Sequence, residues 1–144
     1  MKKLLLGLFC LVPSIGTAQI VANGLSNSAQ GDYVLLDTQQ QATEIQFRLK
    51  LDAEQWLADG SRDSGQTWGP VCEASGECKL ITSSKQDIER FFVKYPHVIE
   101  KVDLSCIHNM AFAFCGMTLD GRTDYVMVTL VTETPEVMPF QKIK

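Results

Sequence analysis

His97 and His108 are the only imidazoles in the chain. Glu100 follows His97 by three residues. Imidazoles beside a carboxylate are the equipment of general acid–base catalysis. His97, Glu100 and His108 are therefore the candidates for a small secreted hydrolase, nucleolytic if it acts on RNA. Each also has a plainer reading. His97 would be an exposed residue after a helix-ending proline, and His108 part of a turn, His108-Asn109. The plainer readings are favoured. Cys106-Ile107-His108 places a thiol and an imidazole two residues apart, on one face of a strand. A cysteine nucleophile needs that proximity, but exported cysteines with available partners are more often bridged. The chain has no Gly-x-Ser-x-Gly elbow and its glycines are isolated, so no phosphate-cradling loop is expected.

The five cysteines divide into Cys10, in the leading apolar run, and four others: Cys72, Cys78, Cys106 and Cys115. An even count in an exported protein reads as two disulfides. Three pairings are possible. Proximity favours Cys72–Cys78 and Cys106–Cys115, which close the shortest loops. A zinc site is the competing reading, and neither Cys-x5-Cys nor Cys-x8-Cys has the usual ligand spacing. No metal or cofactor is expected. A Cys72–Cys78 bridge would close a short loop carrying Glu73, Ser75, Gly76 and Glu77. A preorganised loop suits the cleft of another protein, because its ordering entropy is lost before binding. The plain alternative is a stapled hairpin end with solvated glutamates. The arrangement is similar in kind to the disulfide-closed loop of some bacterial lysozyme inhibitors, although the loop sequences differ.

The octapeptide Ser61-Arg62-Asp63-Ser64-Gly65-Gln66-Thr67-Trp68 matches Ser-x-Asp-x-Gly-x-Thr-Trp at every specified position. It resembles the Asp-box of sialidases and related β-propellers, as does the Gly-Pro-Val that follows. The resemblance covers eight residues of 144. It implies a structural turn between two antiparallel strands, remote from catalysis, built on Ser61, Asp63, Gly65, Thr67 and Trp68. Asp63 can accept hydrogen bonds within its own turn, and Gly65 supplies a backbone conformation that a side chain would obstruct. Trp68 can pack beneath the turn while its indole N–H finds a partner. A sialidase is excluded on size and chemistry. A propeller needs at least about four blades of four strands, and this chain has one copy of the motif. Arg48, Arg62, Arg90 and Arg122 are scattered rather than clustered for a substrate carboxylate. Single Asp-boxes also occur in small secreted microbial ribonucleases, but no ribonuclease signature aligns. An EF-hand beginning at Asp59 fails, because Ser64 and Pro70 hold the positions of the required Gly and Glu.

Lys2 and Lys3, the apolar run Leu4 to Val12 and the small residues Gly16-Thr17-Ala18 read as a signal peptide over 1–18, too short for a membrane span. The expected compartment is the periplasm or the medium. Cleavage after Ala18 removes two of 13 basic residues and leaves 11 against 17 acidic ones, a net charge of −6. That balance disfavours nucleic acid and anionic lipid and suits a basic protein partner.

The elements that position these groups follow from periodicity. Residues 19–31 are rich in Asn, Ser and Gly and predict a loose arm before one globular domain over 32–144. Ile45, Phe47, Leu49 and Leu51 alternate with polar residues, a period of two that marks a half-buried strand. Ser84, with Asp87 three residues on, caps a helix over about 85–95. Its stripe is Ile88, Phe91, Phe92 and Tyr95, and Pro96 ends it. Residues 97–107 are ambiguous, with a strand favoured. Asp120-Gly121 predicts a type I′ hairpin in which Cys115 faces Val126 and Phe114 faces Met127. Ala111, Ala113 and Cys115 share one face, whose small side chains would admit a helix. The tail, with Pro135 and Pro139, predicts no regular structure. The fold class is α+β, mostly β: an antiparallel sheet of six or seven strands with one main helix and two disulfides. The function this supports is a small exported binding or inhibitory protein, such as an immunity protein or a hydrolase inhibitor. The alternatives are the hydrolase above and a structural accessory of the cell envelope.

Overall fold

The structure, a computed structural model, describes residues 24–71 and 78–144. Nine antiparallel strands form one sheet: β1 Gly31–Leu36, β2 Ala42–Asp52, β3 Gln55–Ser61, β4 Gly69–Pro70, β5 Ile81–Thr82, β6 Asp103–His108, β7 Phe112–Leu119, β8 Arg122–Thr129 and β9 Glu136–Lys142. Their spatial order is β4-β3-β2-β1-β9-β8-β7-β6-β5. Two short helices, α1 Lys85–Phe91 and α2 Pro96–Lys101, lie between β5 and β6. Among the described residues no helix is long and apolar enough to cross a membrane.

The sheet is rolled. β2 and β7 are four places apart in the strand order, about 19 Å in a flat sheet. Yet the Phe47 ring lies 5.6 Å from both Phe112 and Phe114. At the seam, Gln55 Nε2 donates to Leu80 O at 3.2 Å, drawing β3 toward the opposite edge of the sheet. The concave face is aromatic: Tyr33, Phe47, Phe112, Phe114 and Phe140 are all buried in one cluster. Tyr33 satisfies its hydroxyl by donating to Ala29 O at 2.5 Å. Burial and the neighbouring Tyr125 push its pKa well above the usual phenol range.

The convex face of β6 to β8 carries the helices. Ala113, Cys106 and Cys115 are small, so Ile88 and Phe91 of α1 and Phe92, its C-cap, descend onto them and are all but fully buried. Cys106 and Cys115 are opposite one another in the β6–β7 register and form a disulfide. That is the one bridge whose two halves both lie among the described residues. Cys78 is also disulfide-bonded; Cys72 and the rest of the loop, Glu73, Ser75, Gly76 and Glu77, lie outside the described residues. The β7–β8 hairpin has the expected register, with Cys115 opposite Val126 and Phe114 opposite Met127. Asp120 and Gly121 have φ of +51° and +77°, the positive angles of a type I′ turn.

Four expectations are corrected. The sheet has nine strands, not six or seven, because β4 and β5 contribute two residues each and the tail is a strand. β9 accommodates Pro139 because its ladder to β1 extends only from Phe140 to Lys142, so the missing N–H falls where that ladder has stopped. The single helix over 85–95 is two helices. Ser84 and Asp87 form the expected capping box, but α1 ends at Phe91, and Pro96 opens α2 instead of closing α1. A proline at the first helical position forgoes only a donor that would be unpaired anyway. Finally, of the expected arm 19–31, residues 19–23 lie outside the described residues and 24–31 are not loose: Asn27–Ala29 form a 3₁₀ turn, Ala29 is fully buried, Leu25 packs on the aromatic core and Ser105 Oγ donates to Gly24 O.

Candidate functional site

Two polar regions compete as the site. The first is the turn between β3 and β4. Ser61 is buried at the end of β3; its hydroxyl donates to Asp63 Oδ1 at 2.7 Å and accepts from Gly65 N at 2.9 Å. Asp63 Oδ1 also accepts from Thr67 N at 2.8 Å and Gln66 N at 3.1 Å. The Ser61 hydroxyl first, and then the Thr67 backbone N–H, hold the Asp63 carboxyl down at about 2. Gly65 has φ +82°, and a Cβ there would sit 2.7 Å from Gln46 Oε1. Trp68 Nε1 donates to Gly65 O at 3.0 Å. The Trp68 ring lies 4.0 Å from the Arg48 guanidinium. Arg48 in turn grips Asp32 with two bonds of 2.7 and 2.9 Å, which lower the Asp32 pKa. The turn thus uses its side chains to hold itself and the back of β2 together.

The second region surrounds His108, at the end of β6. Ser83 and His108 meet through Oγ and Nδ1 at 2.8 Å. Ser83 is buried, so this pair does not expose a nucleophile. The Phe91 ring packs 5.3 Å from the imidazole. Burial lowers the His108 pKa, Asp87 opposes that shift, and Arg90 adds to it. Next to His108, Asn109 builds the β6–β7 turn: its Oδ1 accepts from Ala111 N and Phe112 N, and its Nδ2 donates to Cys78 O at 3.2 Å. These residues border a cavity of about 690 Å³, whose walls include Lys79, Ile81, Arg90, His108, Met110 and Glu133. Ile81 and Met110 are large apolar side chains left 51% and 60% exposed.

His97 and Glu100 are exposed on α2. The His97 ring is 6.4 Å from Tyr95, and neither residue lines the His108 cavity. Among the described residues no hydrogen bond, ion pair or ring contact joins either of them to His108. Cys106, the thiol beside His108 in sequence, is bonded to Cys115. Among the described residues no three His, Cys, Asp or Glu side chains converge as a metal site. Sequence reasoning missed Lys79, Arg90 and Met110, because the cavity is assembled from four segments with no local pattern. The available signal was Ile81, which opens the two-residue β5, and Met110, in the β6–β7 turn, apolar side chains with no periodic partner.

No protein-family model, curated protein or solved structure matches the chain.

Proposed function

We propose that the protein is a small exported binding or inhibitory protein of the periplasm or the medium, of the immunity-protein or hydrolase-inhibitor kind, acting on another protein without chemistry of its own. The observation that carries this reading is the anchoring to the rolled sheet of Val71 and Cys78, the residues that flank segment 72–77. On one side Val71 N donates to Ala58 O at 3.0 Å. On the other Cys78 is disulfide-bonded and its carbonyl is held by Asn109. Fixed flanking residues reduce the freedom that a segment between them loses on binding. The exposed Ile81 and Met110 lie close to its C-terminal anchor, and large exposed apolar side chains at a polar rim suit a protein contact. Glu73 and Glu77 and the acidic balance of the chain favour a partner with a basic face. The lysines and apolar run at the N-terminus support export.

The mature chain, immobilised and challenged with periplasmic and secreted fractions, should retain a partner that high salt releases. The purified partner should bind the wild-type chain directly and bind the Glu73→Gln, Glu77→Gln double variant at least tenfold more weakly, with the melting temperature unchanged. Retention of nothing, together with a double variant that behaves as wild type in the cell, would sink the reading.

A further inference from the structure

We propose that the cavity beside His108 is a binding site for a small amphipathic monocarboxylate. This site shares Ile81 and Met110 with the protein contact proposed above, but the titration below uses no partner protein and so fails or succeeds separately from that reading.

Asn109 spends its Oδ1 on its own turn and one Nδ2 donor on the Cys78 carbonyl. Ser83 is buried against His108. The Ser83 hydroxyl can give its proton to Nδ1, which leaves the proton of the neutral ring on Nε2 as a donor. Lys79 makes no ion pair among the described residues. Arg90 meets Asp87 through one guanidinium nitrogen at 3.6 Å, at a side chain 65% exposed, so most of its five donors remain available. The lining therefore holds two cations and an imidazole against one carboxylate, Glu133, with Asp87 partnering Arg90 from outside the lining. This reverses the sign of the chain as a whole, whose net charge is −4.

The ligand class follows from that balance. Lys79, the cation with no ion pair among the described residues, matches a singly charged anion, and a phosphate dianion would bring a second charge toward Glu133 and Asp87. Arg90 can meet a carboxylate with two parallel bonds. The apolar part of the lining, with Ile81 and Met110 both exposed, matches an aliphatic tail rather than a bare ion. A volume of about 690 Å³ lies inside the range that small-ligand sites occupy.

The test uses the full mature chain and three probes at neutral pH, hexanoate, hexanol and acetate, each titrated against backbone amide shifts. Hexanoate should move residues 79–81, 90, 108–110 and 130–135 as one set and bind at least tenfold more tightly than either of the others. The Lys79→Gln, Arg90→Gln double variant should lose at least tenfold in hexanoate affinity while its hexanol titration and melting temperature stay unchanged. Ile81→Ala should weaken hexanoate and hexanol together. Equal affinity for hexanol and hexanoate, shifts scattered over the surface, or undiminished hexanoate binding in the double variant would each overturn the proposal.

Discussion

The turn at 61–68 and the cavity beside His108 are both dense in polar side chains, and they use them in opposite ways. In the turn, Ser61, Asp63 and Trp68 bond to atoms within the same eight residues, and Arg48 closes the stack from below. Beside His108, Asn109 and Ser83 are internally engaged, but Lys79 and much of Arg90 face outward with two large apolar side chains. Chemically suggestive sequence and available chemistry are therefore separated in this molecule. The octapeptide that looks like part of an enzyme consumes its own hydrogen bonds. The residues with capacity to spare form no motif at all.

Substitutions should separate the two regions by their readouts. Trp68→Ala should have the largest effect, because it removes the indole bond, the stack on Arg48 and a half-buried ring. A loss of about 2–3 kcal/mol in denaturant unfolding is expected, below the full cost of a core aromatic. Gly65→Ala should cost about 1–2 kcal/mol, since its φ of +82° is unfavourable for any residue with a Cβ. If either variant unfolds like the wild type, the turn is not the brace described here.

The two regions should also separate by pH. Burial lowers the His108 pKa, so between that lowered value and about 6.5 the unfolded chain binds a proton that the folded chain refuses. Stability should therefore fall as pH drops from 7.5 to 5, and His108→Asn should flatten that slope in thermal unfolding. Asp63 acts in a lower window. Its carboxyl is held down at about 2, so its contribution is present above about 3.9 and is lost as pH falls toward 2. Asp32 and Asp87, also lowered, share that window. Asp63→Asn should shrink the acid transition and leave the slope between pH 7.5 and 5 untouched. A single slope that responds to both substitutions would merge the regions this account keeps apart.

The smallest effect on stability should come from Lys79→Gln and Arg90→Gln, each within about 0.5 kcal/mol. Both side chains are exposed, and among the described residues their one ion pair, Arg90 with Asp87, is long.

What could be read from the sequence was local or periodic. Alternation around Asp120-Gly121 fixes the hairpin register, and with it the small face of Ala113 and Cys115 on which α1 sits. Ser84 and Asp87 announce the capping box. What could not be read depends on distant contacts. β4 and β5 are too short to show a period. Residues 24–31 are ordered by Tyr33, Ser105 and Lys142, whose side chains bond to their carbonyls. Pro139 looks like a strand breaker until the register shows where the β1 ladder ends. The cavity is the extreme case: Lys79, Arg90, His108 and Glu133 stand in four separate segments, and only the rolled sheet and α1 bring them to one place.

The central claim is that binding capacity lies beside His108 and not in the turn. Hexanoate titration of the wild type, of Lys79→Gln with Arg90→Gln, and of Trp68→Phe tests it most directly. The account predicts that the cavity variant loses at least tenfold in affinity and that Trp68→Phe binds as the wild type does. Loss of binding in Trp68→Phe with full binding in the cavity variant would contradict it.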